Sequence, residues 1–240
     1  MGILNSNGEY IMNLDPDDEL SSPEDLEYLY NIGKELDVDI ISFGLIKKFG
    51  LNSTNKLFLC RDFNIIQFQP RISKFNSSNK FDYLITNKLV KNNIFKKVFY
   101  KFKKQIYGEK WNYAEDEIWS TLVNMLGKSK FCVEKVIYVY NFNNNSLVSK
   151  RFNLLYMNNL LKWIEMFKKI TNNGDKEIYL NRLNFLISLI GQNKKFLTII
   201  KDNNRIKNKY IHLFKQIIPQ INIKNASLKY IIDSLETNIK

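Results

Sequence analysis

The residues best suited to chemistry in this sequence are three carboxylates packed into four positions, Asp15, Asp17 and Asp18. They follow an apolar run at residues 10–14, which predicts a short buried strand that ends at the cluster. Carboxylates at this density repel one another, and a divalent cation or a phosphate-bearing ligand offsets that repulsion. The sequence therefore indicates either a cation site at a strand end or a solvated acidic loop that caps the next helix.

The elements around this cluster predict a strand–helix–strand unit. A serine pair, a proline and two acids at residues 21–25 are typical of a helix start, and the pattern runs to about Leu36. We expect these residues of that helix to face inward: Leu26, Leu29, Tyr30, and Ile32 or Gly33. Residues 39–46 predict a second strand. Because ligand sites in open α/β sheets lie at the carboxyl ends of strands, the three aspartates are well placed to bind one.

The rest of the chain divides by pattern into two parts. An irregular or hairpin region is predicted over 47–80, followed by a partly helical segment with a lysine face over 85–105. A helix is then predicted over 115–126 and a strand over 133–140. Apolar stripes at helical spacing then cover 154–167, 178–190 and 206–218. We therefore expect an α/β part over 1–150 and an α-helical region over 151–240.

Composition limits the classes of function. Residues 1–40 contain eleven acidic residues and a single basic one, Lys34, whereas the whole chain has a net charge of +12. A basic body beside an acidic end suits an anionic ligand such as a sugar nucleotide, and it would also suit nucleic acid or an anionic membrane surface. No apolar run is long enough to span a bilayer. His212 is the only histidine, which excludes histidine-based triads and histidine-rich metal sites.

The two cysteines, Cys60 and Cys132, are too few for a disulfide framework and lack metal-ligand spacing. We expect two buried, reduced thiols. Reduced thiols are typical of a cytoplasmic protein, and we expect that location, with peripheral contact with a membrane as an alternative.

Four motifs, in order, resemble family 2 glycosyltransferases. Residues 8–18, GEYIMNLDPDD, resemble the strand-to-loop junction that carries the D-x-D metal site of that family. Asn87-Lys88-Leu89-Val90 then resembles its "K-L" segment, Glu115-Asp116 its "E-D" pair at a helix start, and Tyr138-Val139-Tyr140 its "Y-x-Y" strand. Each motif is weak alone, but four in the family's order are hard to produce by compositional bias.

The resemblance implies a partial glycosyltransferase A-type, Rossmann-like α/β sheet followed by the helical region. It implies metal-dependent, inverting transfer of a sugar from a nucleotide-sugar donor to a hydroxyl of a glycan or lipid acceptor, as in glycan biosynthesis. The implied cofactor is Mn²⁺ or Mg²⁺, since a cation held by carboxylate oxygens neutralises the leaving diphosphate.

The same resemblance assigns roles to residues. Asp17 would ligate the metal, with Asp15 and Asp18 supporting it or contacting the nucleotide. Asp116, with Glu115 beside it, would be the base that removes the proton of the acceptor hydroxyl. Lys150 and Arg151 would reach the diphosphate, and Trp111 or Trp119 would form an apolar platform for the acceptor sugar.

Other interpretations of these residues stay open. The acids at 115–117 also suit a first helical turn that complements the helix dipole, and the tryptophans suit a core. The competing function is a non-enzymatic basic protein that binds nucleic acid or an anionic membrane, although basic and aromatic residues at 91–110 fit an amphipathic helix better than a nucleic-acid surface. Nucleic acid is therefore the less favoured partner.

The resemblance departs from the family at its start. The nucleotide-binding strands that precede the D-x-D site in the family have no counterpart before Asp15, and Gly2 aligns with a glycine midway through the domain. We therefore expect an incomplete catalytic domain over 1–150, whose activity alone is open. A sheet without those strands would expose an edge and an apolar face, so we also expect a homo-oligomer or a partner chain to cover it.

Overall fold

The computed structural model describes residues 2–49, 53–57, 66–67, 84–107, 115–142 and 201–217, together with positions 159, 161–163, 165, 166, 198, 200 and 233. The chain divides into two compact units, Met1–Ser149 and Lys150–Lys240. That the first unit is an incomplete catalytic domain stays a prediction.

The first unit is a mixed α/β structure, as expected from the sequence. Its described helices are α1 (Gly2–Asn5), α2 (Asp25–Leu36), α3 (Asn92–Tyr107) and α4 (Glu115–Leu126). Its described strands are β1 (Tyr10–Met12), β2 (Glu19–Leu20), β3 (Ile40–Phe49), β4 (Ser53–Leu57), β5 (Ile66–Gln67), β6 (Lys88–Lys91) and β7 (Ser129–Phe142). The predicted strand at 10–14, helix to Leu36, strand at 39–46, helix at 115–126 and strand at 133–140 are thus confirmed.

The described strands form one sheet in the order β1-β6-β3-β7-β2, with β4 added to β3 and β5 to β7. The long strands β3 and β7 run parallel over Ile40–Phe49 and Lys130–Phe142, and the other described pairs are antiparallel. Strand β6 therefore lies between β1 and β3 and runs antiparallel to both. The predicted strand–helix–strand order is present, but the two strands of that unit are not neighbours.

Strand β7 bulges where it passes Gly44. Phe43 is opposite Val133, but Gly44 is opposite Val136 and Leu45 opposite Tyr138, so β7 has extra residues at this point. A Cβ atom at position 44 would lie 3.0 Å from the carbonyl oxygen of Lys135, which only glycine avoids. The bulge changes the register of β7 just before the segment that reaches the acidic loop.

One hydrophobic cluster of the first unit packs α2 against the sheet around Leu29, Phe43, Leu45 and Ile137, each at most 4% exposed. Leu29 and Gly33 of α2 are buried, as predicted. Leu26 and Tyr30 were predicted to face inward, and this is wrong, because their side chains are 45% and 42% exposed. The helix is rotated so that Asp25, Leu29 and Gly33 share the inner face, which packs against the sheet.

Helix α3 is amphipathic, as predicted for this segment. Ile94, Phe95, Val98 and Phe102 are buried, whereas Lys97, Lys101 and Lys104 are exposed. Strand β6 begins the segment instead of a helix, because residues 88–91 fill the gap between β1 and β3.

In the second unit the described helix is α5, Asn204–Ile217, which confirms the predicted helix at 206–218. The side chain of Asn203 accepts a hydrogen bond from the N–H of Ile206 (3.1 Å) and so caps its start. Described positions between 159 and 166 are helical, and the predicted stripe at 178–190 lies outside the described residues.

The state of Cys132 and the length of the helices test two further predictions from the sequence. Cys132 is buried, as expected, but it is disulfide-bonded, so the prediction of a reduced thiol is wrong for this residue. Within the described part of the chain, we find no helix of the length and apolarity needed to cross a membrane.

Asp25 anchors the start of α2 although its side chain is completely buried. Its carboxylate accepts hydrogen bonds from the Ser21 hydroxyl (2.6 Å) and the Ser22 N–H (2.7 Å), and it pairs with the Lys135 ammonium of β7 (2.8 Å). Burial pushes the pKa of Asp25 up, but these bonds outweigh it and hold the pKa below its ordinary value. Asp25 is therefore charged at neutral pH and joins α2 to β7.

We expect Asp25→Ala to lower the free energy of unfolding by roughly 3 kcal/mol at pH 7, because it removes the acceptor of the partly buried Ser22 N–H and the partner of Lys135. Since the pKa of Asp25 is lower in the folded state, this contribution is present above the ordinary aspartate pKa and is lost as pH falls. Urea unfolding at several pH values measures it. The control is Glu9→Ala, which removes exposed contacts with Lys34 and the Tyr30 hydroxyl and should cost much less than Asp25→Ala. Equal losses in the two variants would contradict the assignment.

Candidate functional site

The acidic loop, residues 15–18, lies between β1 and β2. Within it, the N–H of Asp18 donates to the carbonyl oxygen of Asp15 (3.1 Å), which closes a tight turn. Asp17 is exposed, whereas Asp15 and Asp18 are partly buried. The turn keeps three carboxylates within a single span of four residues, each in a different environment.

Asp18 is held by β7, the strand that pairs with β2 directly after the loop. The Tyr138 hydroxyl donates to Oδ2 of Asp18 (2.6 Å), and the Asn141 N–H donates to Oδ1 (2.8 Å). Burial raises the pKa of Asp18, these two hydrogen bonds oppose that rise, and the nearby charge of Asp17 adds to it. The resulting pKa of Asp18 lies above its ordinary value. Its surroundings therefore disfavour the ionised carboxylate, even with both hydrogen-bond donors in place.

Two more hydrogen bonds join the loop to β7. The Asn141 side-chain amide donates to the carbonyl oxygen of Asp17 (2.9 Å), and the N–H of Asp15 donates to the Tyr138 hydroxyl (3.3 Å). Tyr138 is 0% exposed, and burial together with its bond to Asp18 raises the pKa of its hydroxyl, which therefore stays protonated. The sequence indicates Tyr138 only as part of a motif and gives no sign of Asn141, because neither residue type signals a contact about 120 residues away in the chain.

The charges of Asp15 and of the acidic residues at the start of α4 act on one another. Burial raises the pKa of Asp15, and the charges of Asp18, Asp17 and Glu115 raise it further. Asp15 in turn contributes to the raised pKa of Asp116. The predicted D-x-D loop and the predicted E-D pair, about 100 residues apart in the chain, therefore lie in one acidic neighbourhood.

Asp116 has the most perturbed carboxyl group of this neighbourhood. Burial raises its pKa to about 7, with further contributions from the charges of Glu115, Asp15 and Glu117, while Lys88 lowers it. Asp116 is partly buried, whereas its neighbour Glu115 is exposed. A carboxyl group that titrates near neutral pH can take up and release a proton there, which is the requirement for general-base catalysis.

Lys88 is a buried cation beside this neighbourhood and was not among the predicted site residues. It is 0% exposed, and its ammonium group donates to the carbonyl oxygen of Leu84 and to the side-chain oxygen of Asn87 (3.1 Å). The "K-L" segment of the sequence contains this residue, but the motif alone does not indicate a role for it. Its charge partly offsets that of Asp116.

For the remaining predicted site residues, the described part of the structure shows a contact of Trp119 alone. Trp119 is partly buried, and its ring centroid lies 6.0 Å from that of Phe95 in α3, which is a core contact. Its role as an acceptor platform stays a prediction. Trp111, Lys150 and Arg151 lie outside the described residues.

The donor atoms of the acidic loop decide whether it suits a metal ion. Among the described residues, no group of three or more acidic, histidine or cysteine side chains is arranged to hold a metal ion. Hard carboxylate oxygens on an exposed Asp17 next to Asp15 nevertheless fit a cation such as Mg²⁺, which takes one or two protein carboxylates and completes its shell with water and phosphate oxygens. The residues present therefore fit a metal that is shared with a phosphate ligand.

Solved structures similar to this one share its fold. Residues 1–349 of TarS from S. aureus in complex with UDP-GlcNAc match it with a TM-score of 0.57 at 12% sequence identity, over 98% of this chain and 70% of that one. The chain has a glycosyltransferase-like fold. A longer S. aureus TarS structure matches with a TM-score of 0.56 at 12% identity, and the chain spans only 37% of its length. No protein-family model matches the sequence, and no curated protein matches it.

We expect Asp116→Asn to stabilise the protein above neutral pH. Because the pKa of Asp116 is higher in the folded chain than its ordinary value of 3.8, the folded state binds more protons between these two values and stability falls as pH rises. The asparagine variant does not titrate, so it should gain roughly 4 kcal/mol at pH 8 relative to pH 4 when each is compared with wild type.

Urea unfolding at pH 4, 6 and 8 measures this difference. The control is Glu134→Gln, which makes the same carboxylate-to-amide change at an exposed position on β7 and should alter stability less than Asp116→Asn does. A pH-independent difference between Asp116→Asn and wild type would show that Asp116 has no raised pKa.

Proposed function

We propose that this chain is a metal-dependent, inverting glycosyltransferase of the A-type fold and of family 2, which transfers a sugar from a nucleotide donor to a hydroxyl acceptor. The observation that supports this best is the shared electrostatic neighbourhood of Asp15 and Asp116. It combines carboxylates suited to a cation with a carboxyl group suited to proton transfer. The glycosyltransferase-like fold agrees with this proposal.

In this proposal Asp116 is the general base. Inverting transfer needs one carboxylate that takes the proton of the acceptor hydroxyl as its oxygen attacks the anomeric carbon. A pKa of about 7 means that roughly half of the Asp116 carboxyl groups are ionised at neutral pH, and each still binds a proton well. Glu115, which is exposed beside it, contributes negative charge that raises this pKa.

Asp17 and Asp15 would hold Mn²⁺ or Mg²⁺. When bound, the cation would neutralise the negative charge of the leaving diphosphate. It would also relieve the repulsion that raises the pKa of Asp15, because a positive charge would then stand among the charges of Asp17, Asp18 and Glu115. The exposed position of Asp17 leaves its carboxylate open to a ligand from solvent.

The donor class follows from this charge pattern. A nucleoside diphosphate sugar combines a diphosphate that the cation would bind with an anomeric carbon that the acceptor oxygen would attack. UDP-GlcNAc is the ligand in one of the similar structures, so uridine is the first nucleotide to test. The acceptor would be a glycan or lipid whose hydroxyl oxygen can come within hydrogen-bond distance of Asp116.

A second candidate function rests on helix α3. Its exposed face contains Lys97, Lys101 and Lys104, and Tyr100 is 62% exposed among them. Such a face suits an anionic surface, either nucleic acid or a membrane leaflet. This function would need no divalent cation and would weaken steeply with salt, which separates it from the transferase.

The test is calorimetric titration of UDP, then GDP, into the protein with and without Mn²⁺. We expect UDP binding that requires Mn²⁺ and that falls at least tenfold in Asp17→Ala, since the variant lacks the exposed ligand of the cation. The matched control is Glu35→Ala, which removes an exposed carboxylate from the far end of α2 and should bind as wild type does.

Failure of the wild type to bind UDP or GDP at millimolar ligand would contradict a donor site in this chain. Salt-sensitive binding of nucleic acid or of anionic vesicles without Mn²⁺, lost when Lys97 and Lys101 are replaced by glutamate, would instead support the second candidate.

A further inference from the structure

The acidic loop depends on strand β7 for its conformation. Four hydrogen bonds join residues 15–18 to Tyr138 and Asn141, with donor–acceptor distances from 2.6 to 3.3 Å. By contrast, the described residues show one backbone hydrogen bond within the loop, from Asp18 to Asp15. The chain just after the loop is also tied to the same place, because Leu20 of β2 pairs with Tyr138.

Tyr138 is the centre of these contacts. Its ring belongs to the hydrophobic core and is 0% exposed, so the position of its hydroxyl oxygen is fixed by packing. That oxygen accepts from the N–H of Asp15 and donates to the carboxylate of Asp18, so it joins both ends of the loop. A phenylalanine would fill the same volume but could make neither bond.

The contacts also divide the three aspartates by role. Each carboxylate oxygen of Asp18 already accepts a hydrogen bond from β7, whereas Asp17 is exposed and receives its bond on the backbone carbonyl. Bonding the carbonyl of Asp17 orients the residue and leaves its carboxylate to a ligand. Asp18 is thus better suited to holding the loop than to ligating a cation.

We propose that Tyr138 is a positioning residue which, through Asp18, holds residues 15–18 so that Asp17 and Asp15 face the ligand, and that Asp18 does not itself ligate the metal. The role in ligand binding rests on the proposed function, but the role in loop conformation does not. Removing a hydrogen bond that orients a metal ligand without touching the metal typically lowers metal affinity by about 10- to 100-fold.

The first measurement follows amide hydrogen exchange in the ligand-free protein. We expect Tyr138→Phe to speed exchange in the peptide that covers residues 13–20 by at least roughly tenfold, since the loop loses two of its anchors. The matched control is Tyr10→Phe, which removes a hydroxyl that donates to the carbonyl oxygens of Gly33 (2.9 Å) and Val38 (3.0 Å). It should speed exchange around residues 33–38 and leave the loop unchanged.

Unchanged exchange of the loop in Tyr138→Phe would overturn the inference, whatever the protein binds. If that variant does not fold, Asp18→Ala is measured in its place, because Asp18 is only partly buried and its loss spares the core. The same acceleration over residues 13–20 is expected there.

The second measurement titrates UDP with Mn²⁺ into the same variants. We expect roughly tenfold weaker binding in Tyr138→Phe and wild-type binding in Tyr10→Phe, although both lose one hydroxyl. Equal affinities for wild type and Tyr138→Phe, with a loosened loop, would overturn the positioning role. A wild type that binds no nucleotide would refute the proposed function, and hydrogen exchange would still decide the anchoring of the loop by Tyr138.

Discussion

Like charges held close together are the constraint on which this structure depends. Asp15, Asp17 and Asp18 share one turn, and the charges of Glu115 and Asp15 act on Asp116 across the fold. Such an arrangement raises the free energy of the folded protein, since burial and mutual repulsion both oppose ionisation. It persists because rigid neighbours enforce it: the parallel pairing of β3 with β7 fixes the strand that carries Tyr138 and Asn141.

The fold was largely predictable where the apolar pattern is continuous. β1, α2, β3, α4 and β7 each have a run or stripe of apolar residues, and each is present in the structure. The pattern did not predict the insertion of β6 between β1 and β3, because four residues carry too little periodicity to fix their neighbours. It also misassigned Leu26 and Tyr30, since a helix with apolar residues on several faces can bury any of them until the sheet selects one.

The candidate site was predictable in its residue types and not in its contacts. The aspartates of the loop and Asp116 were identified from motifs, and the structure brings their charges together. The anchoring of Asp18 by Tyr138 depends on the register of β7 beyond its bulge at Gly44, which the sequence does not encode locally. For the same reason the buried Lys88 could be seen as part of a motif but not as a neighbour of Asp116.

The central claim is that the acidic loop and the start of α4 form one site for a cation-bound nucleotide. Anomalous diffraction from crystals grown with Mn²⁺ and UDP tests this claim most directly, because the anomalous signal at the manganese absorption edge is specific to that element. We expect one strong anomalous peak next to the carboxylates of Asp17 and Asp15, with the diphosphate between this peak and Asp116. A manganese peak away from the loop, or a diphosphate bound elsewhere on the basic surface, would contradict the account.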